Sequence, residues 1–246
     1  MSTLHHLHRP DPSSTSRLVS APPARPARAE PGRPPASAAT NWPPAPHPLY
    51  QATVKRAFDA TSAAIVLLLL WPLFLAVALA IRLDSPGPVI YKQQRVSLDG
   101  APFTMYKFRS MTWDPDHNVR FFVGPDGAVV HKMAHDPRVT QVGQWLRHTS
   151  IDELPQLVNI LKGDMSVIGP RPELVEIVAT YEPWQHRRHV VRPGLTGWWQ
   201  VCGRDDRPME ECTELDLYYV DHLSPLLDLK ILVRTIAQVV SCEGAF

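Results

Sequence analysis

Cysteine is scarce in this chain of 246 residues: Cys202, Cys212 and Cys242 are the only three, and no two form a CxxC pair. An odd count without ligand spacing argues against a disulfide framework or a zinc site, and it fits a reducing, cytoplasmic setting for the folded part. No internal repeat of useful length is present, and the net charge is only +1. Large apolar residues are few in the first fifth, where 12 of the 26 prolines mix with Ala, Ser and Arg before Tyr50. Such a segment cannot bury enough surface to offset the entropy of ordering, so residues 1–48 are expected to be a disordered tail. His5, His6 and His8 read there as a solvated cluster. The small net charge hides an uneven distribution: Arg9, Arg17, Arg25, Arg28, Arg33, Lys55 and Arg56 face only Asp11 and Glu30. A basic leader beside an apolar segment suits an anionic membrane surface, and no nucleic acid partner is expected.

Charge is absent altogether from Ala60 to Ile81. As a helix this run would be about 33 Å long, enough to cross a hydrocarbon core of about 30 Å. Pro72 lies at its middle, where it removes one backbone bond and bends a helix. Positive charge flanks both ends, with Lys55 and Arg56 before and Arg82, Lys92 and Arg95 after, so the positive-inside rule selects neither orientation. A re-entrant helix that dips in, bends at Pro72 and returns keeps both flanks cytoplasmic, and this reading is preferred. A signal peptide would need an n-region of almost sixty residues, and a buried core helix this long and apolar is rare.

The adjacent carboxylates Asp152 and Glu153 lie between Arg147 and Arg171. A nucleophile or metal ligand beside cations that can hold phosphate points to phosphoryl chemistry. Ser150 with Glu153 also matches a capping box, and by spacing alone the two readings are balanced. Pro155 would then fall inside the helix, which predicts a kinked or irregular turn.

Elsewhere, Val89–Tyr91 and Phe103–Tyr106 read as short strands, the second delivering Lys107 and Arg109 as anion-binding candidates. Residues 113–130 read as a loop or small insertion. Short helices are expected at 140–147 and 154–161. A longer one is expected at 173–189, its basic end Gln185–His189 solvated or at lipid headgroups. The stretch 192–204 reads as a tight aromatic loop, and 226–240 as an amphipathic helix.

Five blocks carry a resemblance: Lys55 to Asp59; Tyr106 to Met111; the Asp152 block; Lys162 to Pro172; and Arg192 to Arg204. In collinear order from about Lys55 to Val240, the chain resembles the bacterial sugar transferases, monotopic phosphoglycosyl transferases that start glycan assembly on a polyprenyl phosphate. The resemblance implies a UDP-sugar donor, an undecaprenyl phosphate acceptor, Mg2+ and release of UMP. It implies Asp152 as the nucleophile that forms an aspartyl phosphosugar intermediate, with Glu153 serving the metal or a proton. Asp152 and Glu153 are therefore the expected catalytic and metal-binding pair. Lys107, Arg109, Arg147 and Arg171 are the expected phosphate-binding set. Trp71 stands where Ser is common in the family, and Trp199 and Cys202 where Ala and Asn are. With no further apolar span before Lys55, the chain resembles the minimal catalytic form.

The expected architecture is α+β and mainly helical. A re-entrant membrane helix at 49–83, broken at Pro72, precedes a compact cytoplasmic catalytic domain at 84–246 with short strands and amphipathic surface helices. The expected place is the inner membrane facing the cytoplasm; a homo-oligomer is left open. The competing readings are a non-catalytic membrane scaffold for glycan-assembly enzymes and a soluble phosphohydrolase; the latter leaves the apolar run without a purpose.

Overall fold

The computed structural model describes residues 46–113, 122–123, 129–130, 136–202 and 213–241. The expected tail thus lies almost wholly outside the described residues, as do Cys212, Cys242, Gly203 and Arg204. The described residues fall into two units, one containing 122–123, 129–130 and 136–137, the other 46–113, 138–202 and 213–241. In the first, the expected loop contains an antiparallel pair, β3 (Phe122–Val123) with β4 (Val129–Val130).

The second unit is mainly helical with a few short strands. A π-helical turn, Tyr50–Lys55, leads into α1, Arg56–Asp84. The 35-residue run Tyr50–Asp84 is long and apolar enough to cross a membrane by length and composition. The break expected at Pro72 does not occur: α1 runs through it, giving up only the bond that the proline nitrogen cannot donate to the Leu68 carbonyl.

One side of α1 packs on the domain along most of its length. Ala63, Val66 and Leu67 join a core with Phe103, Met105, Leu157, Ile160 and Met165. Leu73, Phe74, Val77 and Ile81 join another with Phe108 and Leu146, and the Phe74 and Phe108 rings lie 5.2 Å apart. The opposite side stays bare: Leu68, Leu69, Trp71, Leu75, Leu79 and Leu83 are 58% to 79% exposed. Such a continuous apolar strip marks contact with a partner or a lipid phase.

After α1, β1 (Ile90–Val96) and β2 (Pro102–Phe108) form an antiparallel hairpin with Arg95 opposite Phe103 and Tyr91 opposite Lys107. Alternation along a strand puts Arg95, Phe103, Met105 and Lys107 on one face. Then come α2 (Gln141–His148), a 3-10 turn at Ile151–Glu153, α3 (Gln156–Lys162) and β5 (Ser166–Ile168).

Two stretches differ from expectation. Where one helix was expected at 173–189, there is only α4 (Val175–Val178) and a 3-10 helix, Pro183–Val190, capped by reciprocal Glu182 and Gln185 bonds. Pro183 disfavours helical geometry at the residue before it and starts the second element anew. The stretch 192–204, expected as an irregular loop, contains β6 (Gly194–Thr196), parallel to β5, and α5 (Trp198–Cys202). Its glycines serve close approach: a Cβ on Gly194 would lie 2.1 Å from the Gly169 nitrogen, and one on Gly197 2.1 Å from the Gly169 oxygen. The chain continues through α6 (Thr213–His222) and α7 (Pro225–Ser241).

Candidate active site

The segment Lys107–Ser110 distributes three polar side chains to three places. Phe103 and Met105 are buried against α3, and Lys107 emerges from the same strand face where that core ends. Its Nζ donates to Glu153 Oε1 at 2.7 Å. Arg109 turns to the end of α1, where its guanidinium donates to the carbonyls of Ser85 at 2.7 Å and Pro86. There it supplies donors to the two carbonyls that follow the last helical residue, Asp84, where the chain has left the helix and offers no backbone donor of its own turn. Ser110 accepts from Arg147 Nε at 2.9 Å. The close seating of α2 beneath it requires Gly143, whose added Cβ would lie 2.0 Å from the Ser110 oxygen.

Ser150 adopts a left-handed backbone, φ 55°, between α2 and the turn that carries the acidic pair. A serine there is strained. The capping box that the spacing allowed does not form: Ser150 makes no side-chain cap, and Glu153 is drawn to Lys107 and to Arg171 Nη2 at 3.3 Å. Two cations outcompete a neutral amide for a carboxylate. Pro155 precedes α3 and so breaks no bond inside it.

Asn159, fully buried, locks this turn to the hairpin. Its carboxamide accepts from Tyr106 N at 3.1 Å and donates to the Thr104 carbonyl at 2.7 Å, so it pairs with β2 as a strand would.

A small pocket is lined by Arg95, Lys107, Glu153, Gln156 and Arg171, with Gly194 and Leu195 on its wall. Of the expected phosphate-binding residues, Lys107 and Arg171 meet at Glu153. Arg147 lies close enough to pull on Asp152 electrostatically, and Arg109 is committed to α1. Burial pushes the Asp152 carboxyl upward, repulsion from Glu153 adds to this, and Lys107, Arg147 and Arg171 oppose it, leaving it at about 6. Burial also acts on Glu153, but Lys107 and Arg171 overcome it and hold Glu153 well below the usual carboxylate range. The two neighbours are thereby driven apart: Glu153 is a fixed anion locked between cations, and Asp152 is a partly buried carboxylate of raised basicity.

Among the described residues no group of three or more His, Cys, Asp or Glu side chains gathers to cage a metal. Mg2+ needs no such cage, since it takes one or two carboxylates and fills its shell with phosphate oxygens and water. The donor set of Asp152 and Glu153 fits a magnesium carried in on a diphosphate.

Sequence spacing gave no sign of Arg95, Gln156 or the network behind Arg171. Arg188 and His189, expected on a solvated or lipid-facing run, are buried. Arg188 donates to Asp216 Oδ2 at 2.5 Å and to the Arg171 carbonyl at 2.7 Å. Asp216 is raised to about 6, chiefly by burial, against the pull of Arg188. An arginine in a basic run reads as surface unless its turn is known. The buried acids Glu173 and Asp216, each next to apolar residues, were the available signal.

Cations converging on an acidic pair, beside a helix with a bare apolar face, are the equipment of an enzyme that handles a phosphate-bearing substrate at a membrane. Residues 50–242 match the bacterial sugar transferase family. The chain is 44% identical over 191 residues to the sugar transferase EpsL of Bacillus subtilis, covering 78% of this chain and 89% of that protein. It is 42% identical over 191 residues to the UDP-glucose:undecaprenyl-phosphate glucose-1-phosphate transferase of Escherichia coli, covering 74% of this chain and 39% of that one. It is also 42% identical over 209 residues to the UDP-N-acetylgalactosamine-undecaprenyl-phosphate N-acetylgalactosaminephosphotransferase of Aeromonas hydrophila, covering 81% and 46%. The chain thus spans less than half the length of the last two. It belongs to the bacterial sugar transferase family and is an enzyme of the sugar-phosphate transferase class.

Proposed function

We propose that the protein transfers a sugar 1-phosphate from a UDP-sugar to undecaprenyl phosphate and releases UMP, as the first membrane step of exopolysaccharide, capsule or glycoconjugate synthesis. The observation that carries this reading is the division of the acidic pair: Glu153 is tied to Lys107 and Arg171, while Asp152 beside it has raised basicity. In the first step an Asp152 oxygen bonds to the sugar-side phosphorus as the bond from that phosphorus to the bridging oxygen breaks, and UMP departs with the bridging oxygen. In the second, an undecaprenyl phosphate oxygen bonds to the same phosphorus. The acyl–phosphate bond breaks, the lipid diphosphate sugar leaves, and the Asp152 carboxylate returns. Lys107 and Arg171 offset the repulsion between an anionic diphosphate and an incoming carboxylate. Asp152 and Glu153 would hold the Mg2+ of the donor, which when bound supplies further neutralisation of diphosphate charge.

Purified protein in detergent or nanodiscs is expected to turn over at least one of a panel of UDP-sugars, releasing many equivalents of UMP, only when undecaprenyl phosphate and Mg2+ are both supplied; without the lipid, release stops at about one equivalent, the covalent first step. No release with any donor, or full release without lipid, overturns the reading.

The re-entrant topology belongs to the same reading. Both the Ala63–Leu67 and Leu73–Ile81 portions of α1 pack on one domain, which favours placing both flanks at one membrane face. We therefore assign the folded unit to the cytoplasmic face of the inner membrane. Tyr50→Cys and Asp99→Cys, placed in a background lacking the native cysteines, are expected to resist an impermeant thiol reagent in intact cells and to react after permeabilisation. Labelling of either from outside refutes the arrangement.

A further inference from the structure

Arg171 sits between two prolines, and each carbonyl around it is held by a donor from a different element. Pro170 O accepts from Gly194 N at 2.8 Å. Arg171 O accepts from Arg188 Nη2 at 2.7 Å, and Pro172 O from Arg95 Nη1 at 3.1 Å. Pro170 and Pro172 have no N–H, so a regular ladder cannot hold this segment from both sides. Side-chain donors take the place of ladder bonds.

The two arginines are themselves anchored. Arg188, 2% exposed, reaches Asp216, and also donates to Tyr181 Oη. Arg95 lies 3.4 Å from Glu173 Oε1, whose carboxylate also accepts from Leu174 N at 3.0 Å. Gln93 Oε1 accepts from Arg95 Nη2 at 2.8 Å. Asp216 and Glu173 are 1% and 2% exposed. Burying two carboxylates and the Arg188 guanidinium, with Arg95 half-buried beside them, is a poor way to gain stability, since removing the charges from water costs much of what their attraction returns. The arrangement does fix geometry, because a planar guanidinium can satisfy a carboxylate and a carbonyl at once.

We propose that Arg95 and Arg188 are positioning residues for Arg171: Arg188 from inside the domain holds the Arg171 carbonyl and Arg95 from the pocket wall holds that of Pro172, and so they aim the Arg171 guanidinium at Glu153 and the donor phosphate. The inference rests on the reading that Arg171 binds that phosphate. Neither arginine need act on the reacting phosphorus, and their effect is exerted through Arg171. A lysine at either position keeps the charge but loses the fork, so it cannot serve carboxylate and carbonyl with the same geometry.

The test is a double-mutant cycle on the full chain, with UMP release measured over a range of UDP-sugar at saturating undecaprenyl phosphate. Arg188→Lys and Arg95→Lys are each expected to lower kcat/KM about 10- to 100-fold, mostly through a higher donor KM, as a misplacement of about 1 Å does. Arg171→Ala is expected to lower it at least as much. In the Arg171→Ala background, adding either lysine should cost less than about twofold more, since residues acting through one another are not additive. A packing role alone would lower the active fraction equally in both backgrounds. Full additivity, or no effect of the lysine variants where Arg171→Ala is impaired, overturns this inference and leaves the phosphate role of Arg171 intact. Normal kinetics in Arg171→Ala overturns that role and the inference with it. Should Arg188→Lys fail to fold, the Arg95→Lys arm decides by itself.

Discussion

Asp152→Asn is expected to abolish UMP release, with turnover falling by on the order of 10³-fold or more, while the protein keeps its fold. Loss of a nucleophile removes the covalent route altogether, and comparable replacements cost at least this much. Asparagine matches aspartate in size, and Asp152 is only partly buried. In the folded protein its carboxyl titrates at about 6, above the ordinary value of about 3.9. The native state therefore binds the proton more tightly than the unfolded chain, so ionising Asp152 costs stability as pH rises from about 4 to about 6. Asp152→Asn removes that cost, and its melting point at pH 7 should equal or exceed that of the parent. Glu153 has the opposite sign. Held low by Lys107 and Arg171, it contributes stability above about 4.3 that is lost as pH falls below it. Catalysis follows Asp152: the wild-type rate should rise about tenfold from pH 5 to pH 7 and then level, as the carboxylate form fills. Wild-type turnover in Asp152→Asn, or a rate that declines through pH 6, would remove Asp152 from the role of nucleophile.

The reach of the sequence depended on whether a residue's neighbour in space was also its neighbour along the chain. The absence of charge from Ala60 to Ile81 announced α1, and the Asp152–Glu153 pair announced an acidic site, because both signals are local. The pairing of Arg95 with the site was not legible, since it depends on the register that sets Arg95 opposite Phe103. Arg109 and Lys107 looked equivalent by spacing, yet they lie on opposite sides of the end of β2 and go to a helix terminus and to Glu153 respectively. The capping-box pattern was real in sequence but lost to two cations that arrive from β2 and from the segment after β5. Gly194 and Gly197 lay in a stretch that read as a tight loop, whereas the parallel β5–β6 contact requires them for closeness to Gly169. Asn159 gave no sign that its amide completes a strand.

Asp228→Ala is expected to destabilise the protein by about 3–5 kcal/mol, the cost of leaving a buried charge without its partner. The Asp228 carboxylate, at the first turn of α7, accepts from Lys55 Nζ at 2.7 Å and Tyr50 Oη at 2.8 Å through one oxygen. Its other oxygen accepts from Tyr219 Oη at 2.8 Å. Lys55 and Asp228 are 7% and 5% exposed, so screening by water does little to soften the loss. At 2–4 °C per kcal/mol for a domain of this size, the melting midpoint should drop by roughly 10 °C. Tyr219→Phe, which removes the hydroxyl shared between Asp228 and the Ile168 carbonyl but no charge, should cost only about 1 kcal/mol. The contrast separates an ion pair from general packing: if the two variants melt together, or Asp228→Ala stays within about 2 °C of the parent, the charge of Lys55 is solvated and the cluster holds nothing in place. If the contrast appears, the loss falls first on the π-helical turn. Tyr50 and Lys55 there have lost their shared acceptor, while the Asn159 bonds that set the acidic pair against β2 are untouched. Amide hydrogen exchange should therefore accelerate at residues 50–55 before it does so in α3, because the start of the apolar helix is tied to the domain through Asp228 and the acidic pair is not.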